Sequence, residues 1–225
     1  MQRACRSGII GIDNIREFFL DHPAIQCWNP LKKQLVLFLQ GVEIHQHIKT
    51  SLGDIWITDA LENNFIKSEA ESRQEYEARF LREMLRACVG GTELRHELNG
   101  APILNHQPGL HISISHSDNW FAIYVSTKQH IGIDLEIHSI QIERTKKYFL
   151  TKSEMESLQP TIEEAKICWG IKESVFKMLR GNMKSMLEEV EIVSIGKNEA
   201  RAKFQNQMIK IKHQQSQSFV LVYTD

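Results

Sequence analysis

The chain has little cysteine, with only four such residues in 225: Cys5, Cys27, Cys88 and Cys168. No two of them form a C-x-x-C pair, which argues against a zinc ribbon. Four scattered cysteines also give no support for a disulfide framework in a chain of this length. The simplest interpretation is that the thiols are reduced, as in a cytosolic protein.

The chain also lacks an excess of one charge and a long hydrophobic run. Its 27 basic and 28 acidic residues give a formal net charge of -1. No global field therefore favours nucleic acid or a membrane surface, and a charged partner has to be recognised by a local patch. Polar residues between Asp13 and Glu17 interrupt the apolar N-terminal stretch, so we expect no signal peptide. No stretch has the length of a membrane span, and we expect a cytoplasmic protein.

In the first half of the chain the sequence predicts strands, then one long helix, then a pair of strands. Residues 34–43 and 54–58 are typical of strands with buried faces. Ser68 to Glu71 matches a capping box, and Gly90-Gly91 ends the helix predicted after it. The helical spacing is carried by Tyr76, Phe80, Leu81, Met84, Leu85 and Cys88. Two β-rich runs within 111–126 flank a polar connection at 116–119, which predicts a hairpin.

The second half repeats this order. A strand at 131–136 is followed by a predicted helix through Ile142–Phe149, and a capping box at Thr161 to Glu164 opens a long helix to about Arg180. Strands are then predicted at 189–195, 200–204, 208–213 and 218–223.

This order predicts a mixed α/β (α+β) fold built from two halves of similar size. The first half covers residues 1–128 and the second covers 129–225. A groove between two such halves is a favoured place for a ligand.

Two acidic residues lie on one face of the strand at 131–136. Asp134 and Glu136 are two positions apart, so their side chains project from the same side of the strand. Like charges so placed repel each other unless a cation or a base lies nearby. Mg²⁺ prefers carboxylate oxygens as ligands and takes waters and substrate phosphates as its other ligands. The alternative is a solvated face of an edge strand.

A second charged pair lies on the long helix. Glu173 and Lys177 are one turn apart, which is also the commonest spacing of a surface ion pair. The helix is apolar over much of its circumference, with Trp169, Ile171, Val175, Phe176 and Leu179. Charges on such a buried helix require a partner or a function. Lys172 either serves the same site or is solvated.

Histidines suggest two further sites. His116 follows a strand and is flanked by hydroxyls in Ser113-Ile114-Ser115-His116-Ser117, where hydroxyls and backbone amides can hold a phosphate. The alternative is an exposed or structural histidine. His45 and His47 form an H-x-H pair that could bind a metal, but the sequence suggests no third ligand.

Four stretches occur in an order that resembles the 4'-phosphopantetheinyl transferases, in particular the surfactin-synthetase-activating type with two fused halves. They are Ser113 to Ser117, Ile131 to Glu136, Lys147 to Glu154, and Trp169 to Lys177. The resemblance covers about residues 97–180. It implies a monomer whose halves are related by a pseudo-two-fold arrangement.

The activity that this resemblance implies is the transfer of the phosphopantetheine arm of coenzyme A to a serine of an apo acyl or peptidyl carrier protein. Adenosine 3',5'-bisphosphate would be the second product. By position, Asp134, Glu136 and Glu173 would hold Mg²⁺, and Glu173 would be the general base. Lys177 would contact the α-phosphate, while Ser115 and His116 would bind coenzyme A phosphates. Glu154 matches a family acid near the site.

The chain departs from the family pattern at one position. Where relatives carry Gly-Lys-Pro, this chain has Gly100-Ala101-Pro102, so a lysine expected at the coenzyme A 3'-phosphate is absent. The candidates to replace it are Arg79, Arg82, Arg86 and Arg95. The alternative function is therefore a non-catalytic member of the fold that binds coenzyme A or a carrier protein.

A basic cluster is a candidate surface for the carrier protein. It consists of Arg144, Lys146, Lys147 and Lys152, and the family's carriers present an acidic helix beside their serine. A solvated helix face explains the same residues. The sequence does not distinguish carriers of fatty-acid, polyketide or nonribosomal-peptide synthesis.

Overall fold

The structure is a computed structural model that describes residues 42–137 and 142–225. Within these ranges it contains eleven strands and five α-helices, which confirms the mixed α+β class. The predicted strand at 34–43 lies outside the described residues except for its last two, which are not in a strand. Cys5, Cys27 and the N-terminal stretch also lie outside them.

In chain order the elements are β1 Gln46–Lys49, β2 Gly53–Asp59, α1 Arg73–Val89, β3 Glu93–His96, β4 Pro102–Asn105, β5 His111–Ser117, β6 Trp120–Ser126, β7 Ile133–Ile137, α2 Ile142–Thr145, α3 Lys152–Leu158, α4 Ile162–Met178, α5 Met186–Glu189, β8 Val190–Ile195, β9 Glu199–Phe204, β10 Gln207–Gln215 and β11 Phe219–Thr224.

The strands form two main antiparallel sheets and one small hairpin. The first sheet has the order β1-β2-β6-β5, and the second has the order β7-β11-β10-β9-β8. Strands β3 and β4 pair with each other alone. Strands β5 and β7 therefore lie at edges of different sheets.

Helix α1 begins one turn later than the sequence predicted. Ser72 is the N-cap: its hydroxyl accepts the Glu75 N–H, and the Glu75 carboxylate accepts the Ser72 N–H at 2.8 Å. Ser68 and Glu71 have the same spacing, and the Glu71 carboxylate accepts the Ser68 N–H at 3.2 Å as well as two hydrogen bonds of 2.8 Å from Arg79. Ser68 nevertheless lies outside the helix, which begins at Arg73. The capping box therefore belongs to Ser72 and Glu75 instead of Ser68 and Glu71. Gly90 ends the helix with φ of 83°, as predicted.

Most other predicted elements are confirmed. The hairpin of β5 and β6 turns at Asp118 and Asn119, and the four C-terminal strands are all present. Helix α4 begins at the predicted Thr161 capping box and ends at Met178. The helix predicted through Ile142–Phe149 is instead one α-helical turn followed by a 3₁₀ turn at Lys146–Tyr148.

Apolar contacts join these elements into layers. Helix α1 packs on one face of the first sheet, and α4 packs on one face of the second sheet. The opposite faces of the two sheets meet in a third cluster that includes Ile55, Tyr124, Leu135 and Leu221, all fully buried. Each such side chain contributes about 1.5–3 kcal/mol of transfer free energy. The contact places the acidic strand β7 against the first sheet.

Two parts of the predicted architecture stay predictions. One is the division into halves at residues 128/129, and the other is their pseudo-two-fold relation with a ligand groove. Among the helices of the described ranges, none is long and apolar enough to cross a membrane.

Candidate functional site

The acidic strand β7 faces helix α4, and the charged residues of both elements meet there. Asp134 and Glu136 pair with Val222 and Val220 of β11, whose side chains pack in the cluster under α4. Alternation along the strand turns both carboxylates toward that helix. The predicted solvated strand face is therefore wrong for Asp134, which is 3% exposed.

Two glycines permit the close approach of α4 to this part of the sheet. A Cβ on Gly132 would lie 1.8 Å from the Ser174 carbonyl oxygen, and one on Gly170 would lie 2.5 Å from Val222 Cγ2. Neither position has room for a side chain. The helix therefore lies close enough to the strand for their polar side chains to form hydrogen bonds directly.

Lys177 is the cation of the site. Its Nζ donates to Asp134 Oδ1 at 2.7 Å and to Ser115 Oγ at 3.0 Å, and it lies 4.0 Å from Glu173 Oε2. The structure thus brings Asp134 of β7 to Glu173 and Lys177 of α4, which lie 39 and 43 positions later in the sequence. The ordinary surface pair between Glu173 and Lys177 is the weaker of the lysine's two carboxylate contacts.

Glu136 lies beside this group and has partners of its own. Trp169 Nε1 donates to Glu136 Oε1 at 2.9 Å, and Ser117 Oγ donates to Oε2 at 3.4 Å. Burial and the neighbouring Asp134 raise the pKa of Glu136 to about 7, against the lowering effect of those hydrogen bonds and of Lys177. The role of Trp169 was missed, because its position on an apolar helix indicated only core packing.

The site carries more acid than its single lysine neutralises. Burial, followed by the charge of Asp134, raises the pKa of Glu173. Asp134 Oδ2 is buried and has no hydrogen-bond partner among the described residues. A buried carboxylate oxygen without a partner is costly. An additional cation would relieve both conditions.

The donor set suits a hard cation in its chemistry. Carboxylate oxygens are the ligands that Mg²⁺ prefers. Asp134, Glu136 and Glu173 supply such oxygens, and one of them is the unpartnered Oδ2 of Asp134. Within residues 42–137 and 142–225, however, no three acidic, histidine or cysteine side chains are gathered as a ready ligand cluster. The assignment of these three residues as metal ligands stays a prediction.

Ser115 has a full set of hydrogen-bond partners inside the protein. A hydroxyl donates one hydrogen bond and accepts two. Ser115 Oγ donates to Asp134 Oδ1 at 3.0 Å and accepts from the Leu135 N–H at 3.1 Å and from Lys177. The side chain is 6% exposed. These contacts differ from the phosphate contact that the resemblance implies.

His116 is exposed at the end of β5. Its Nε2 lies 3.7 Å from Glu77 Oε2, and its ring stacks on Phe121 with a centroid distance of 5.5 Å. The imidazole therefore lies on the opposite side of the strand from Ser115, since the side chains alternate. The phosphate contact predicted for His116 stays a prediction.

The roles of Lys172 and Glu154 become clear from the structure. Lys172 is fully buried and donates to both Glu154 carboxylate oxygens at 2.8 and 3.1 Å, and also to the Val190 carbonyl oxygen. Glu154 also accepts the Ile192 N–H at 2.8 Å and caps α3 through Thr151. Both predicted alternatives for Lys172, service in the acidic site or solvation, are therefore wrong. The pair joins α3, α4 and β8.

The position of the missing lysine lies beside a different cation. Ala101 is buried, and Asn99 Nδ2 in the same loop donates to the Arg180 carbonyl oxygen at 2.9 Å. The Arg180 guanidinium binds Glu97 at 2.8 Å. Of the arginines considered from the sequence, Arg79, Arg86 and Arg95 pair with Glu71, Glu83 and Glu93.

The two histidines at the start of β1, His45 just before the strand and His47 within it, have separate partners. His45 Nδ1 lies 3.1 Å from Glu62, while His47 Nε2 lies 2.7 Å from Asp54. The His47 ring also stacks on Trp56. The described part of the chain contains no metal-ligand cluster at these histidines.

Comparison with known proteins gives one family match. The model of the 4'-phosphopantetheinyl transferase superfamily matches residues 130–224, which include Asp134, Glu136, Glu173 and Lys177. This match supports the superfamily for the part of the chain that carries α4 and the second sheet. It does not test the two-half subtype.

Two curated proteins of Streptococcus pneumoniae share a different and shorter similarity. Both are UDP-N-acetylglucosamine--N-acetylmuramyl-(pentapeptide) pyrophosphoryl-undecaprenol N-acetylglucosamine transferases, 30% identical over 86 residues. The similarity covers 35% of this chain and 22% of each relative. Because the chain spans only about a fifth of their length, nothing of their activity is carried over.

Proposed function

We propose that this protein transfers the 4'-phosphopantetheine arm of coenzyme A to a serine of an apo carrier protein and releases adenosine 3',5'-bisphosphate. The observation that carries the proposal is the contact of Lys177 with Asp134 and Glu173 within the matched residues 130–224, with Glu136 two positions beyond Asp134 on the same strand. Phosphopantetheinyl transfer is the activity that the superfamily match suggests.

The reaction breaks the bond between the pyrophosphate bridging oxygen and the phosphorus that carries the pantetheine arm. The carrier serine oxygen forms the new bond to that phosphorus and loses its proton. Such a step requires a base for the proton and positive charge near both phosphates. Residues of α4 and β7 supply groups for each requirement.

Glu173 is the proposed base. Burial raises the pKa of its carboxyl, which moves its proton affinity toward that of a useful base near neutral pH. Lys177 is the proposed contact of the leaving phosphate, because its ammonium is partly exposed beside the acidic group. Asp134, Glu136 and Glu173 would hold Mg²⁺, which when bound neutralises phosphate charge.

A transfer assay tests the activity. Purified protein is incubated with coenzyme A, Mg²⁺ and apo carriers of several types, and each carrier is weighed intact by mass spectrometry. We expect a mass gain of one phosphopantetheine group on at least one carrier. No gain on any carrier, with a reference transferase active on all of them, contradicts the catalytic proposal.

Two variants assign the base. Glu173→Gln should lower turnover by about 10²–10⁴-fold, the usual contribution of a general base. Glu156→Gln serves as the control, because Glu156 is exposed on α3 and pairs only loosely with Lys152 at 3.7 Å. Equal turnover of the two variants would remove Glu173 from the role of base.

If the protein binds coenzyme A or a carrier protein but does not transfer the arm, the alternative function of a non-catalytic binding protein is favoured. The features that motivate it are the alanine at position 101 and the absence of a gathered ligand cluster in the described residues. We propose that Arg180 compensates for the missing lysine, since its backbone oxygen and side chain contact the loop before Ala101. Arg180→Ala should raise the KM for coenzyme A more than the KM for dephospho-coenzyme A, which lacks the 3'-phosphate.

The proposed carrier surface lies around the 3₁₀ turn. Arg144, Lys147 and Lys152 are exposed, and the neighbouring Tyr148 is 69% exposed with the Lys147 Nζ 5.1 Å from its ring centroid. Exposed basic and aromatic residues suit an acidic helix of a partner. Lys147→Glu should raise the KM for carrier and leave the KM for coenzyme A unchanged. A cytoplasmic monomer is part of the proposal.

A further inference from the structure

Three serines of β5 connect the edges of the two main sheets. Strands β5 and β7 do not share backbone hydrogen bonds within a sheet, yet they run beside each other. The hydroxyls of Ser113, Ser115 and Ser117 accept the N–H groups of Ile133, Leu135 and Ile137 at 3.2, 3.1 and 3.3 Å. We call these three serines the serine ladder.

The period of the serine ladder matches that of the two strands. Alternate residues of β5 point to one side, and alternate N–H groups of an edge strand point away from its sheet. An unpaired N–H at a buried sheet edge is costly, and a hydroxyl is an adequate acceptor for it. Satisfying the edge of β7 is therefore a sufficient reason for the serines to be present.

Two members of the serine ladder do more than satisfy the edge. The Ser115 hydroxyl donates its proton to Asp134 Oδ1 at 3.0 Å, and the Ser117 hydroxyl donates to Glu136 Oε2 at the longer distance of 3.4 Å. Within the described residues, Ser113 accepts its N–H but contacts no carboxylate. The ladder thus contains its own comparison between a serine with and one without an acidic partner.

Ser115 also constrains the position of the Lys177 ammonium, which lies on α4 opposite the strand. Its oxygen accepts from Lys177 Nζ, which itself donates to Asp134 Oδ1 at 2.7 Å. Serine, lysine and carboxylate therefore form a closed triangle in which each side chain limits the position of the other two. One carboxylate oxygen, Oδ1, is held by this triangle, while Oδ2 has no hydrogen-bond partner among the described residues.

We propose that Ser115 is a positioning residue that fixes the Asp134 carboxylate for binding a divalent cation, and that Ser117 does the same less strongly for Glu136. The inference rests on the proposed function, because it assumes that these carboxylates bind the metal. Partners that orient a ligand typically change metal affinity by about 10–100-fold when they are removed.

The test compares Ser115→Ala with Ser113→Ala. Both side chains are buried, with 6% and 3% exposure, and each accepts one edge N–H, so both variants lose that hydrogen bond. Ser115→Ala also loses the hydrogen bonds with Asp134 and Lys177, so its thermal midpoint should fall further. Mn²⁺ binding without coenzyme A is measured by the electron paramagnetic resonance signal of the free ion. We expect Ser115→Ala to weaken Mn²⁺ binding at least 10-fold, with Ser113→Ala within about 2-fold of the wild type and Ser117→Ala between them.

Two further measurements separate positioning from general damage. Ser115→Thr keeps the hydroxyl and should restore most of the Mn²⁺ affinity lost in Ser115→Ala. In the transfer assay, Ser115→Ala should raise the metal concentration needed for half-maximal rate more than it lowers the rate at saturating metal.

The outcomes distinguish the inference from the proposed function. Equal Mn²⁺ affinities of Ser115→Ala and Ser113→Ala, with an active wild type, would limit the serine ladder to satisfying the edge of β7. A wild type that neither binds Mn²⁺ nor transfers the arm would overturn the proposed function, and the inference with it. Weak binding by Ser115→Ala that Ser115→Thr fails to restore would also overturn it.

Discussion

Removing one member of the buried Lys172–Glu154 pair should be among the most damaging single changes in this protein. Lys172→Met leaves the Glu154 carboxylate buried, with hydrogen bonds from Thr151 and Ile192 but without a cation. Breaking a buried ion pair in this way costs about 3–5 kcal/mol. Because a typical domain is stable by only about 5–15 kcal/mol, we expect a large fall in the unfolding midpoint.

A double variant tests whether the two charges depend on each other. Lys172→Met with Glu154→Gln removes both charges, so its cost should be smaller than the sum of the two single costs. Urea unfolding of the wild type, both single variants and the double variant gives the coupling free energy. The exposed pair Lys152–Glu156, with a 3.7 Å separation, is the matched control and should show no measurable coupling. Additive losses at Lys172 and Glu154 would refute the account of a buried, mutually dependent pair.

Two other predictions concern stability. Gly132→Ala should destabilise the protein strongly, because its Cβ would lie 1.8 Å from the Ser174 carbonyl oxygen; a thermal midpoint equal to that of the wild type would contradict the close packing of α4 on β7. Burial lowers the pKa of His213, whose Nε2 lies 3.0 Å from the Gly196 carbonyl oxygen. The unfolded chain therefore binds more protons just below pH 6.5, and the stability from this group falls as the pH decreases there. His213→Gln should reduce that pH dependence between pH 7.5 and 5.5 in urea unfolding, and unchanged slopes would exclude His213 as its source.

Local patterns in the sequence predict most of the helices and strands, because the contacts that form these elements lie between residues that are close in sequence. The Thr161 capping box and the alternation of β5 and β6 depend on neighbouring residues, and both are confirmed. Helix α1 shows the limit of this approach. Ser68 and Ser72 both precede a glutamate by three residues, so the local pattern alone does not distinguish them. In the fold the complete capping box is that of Ser72 and Glu75, while Glu71 pairs with Arg79 of the helix.

The site shows the same division between local and long-range information. The spacing of Asp134 and Glu136, and that of Glu173 and Lys177, predicted two charged faces, and the fold places them opposite each other. The sequence also contains Ser113, Ser115 and Ser117 at a period of two, a pattern that on its own predicts a phosphate-binding strand end. The edge that they satisfy belongs to β7, in another sheet.

The difference between Lys172 and Lys177 follows from the same geometry. Both lysines lie on one helix, and both have an acidic partner that is distant in sequence. Lys172 is fully buried, and its ammonium is bound by a carboxylate and backbone carbonyls, so it cannot exchange partners without opening the core. Lys177 keeps about a quarter of its side chain exposed beside Asp134. One helix therefore carries a fixed charge that stabilises the fold and, five residues later, an accessible charge suited to the proposed chemistry.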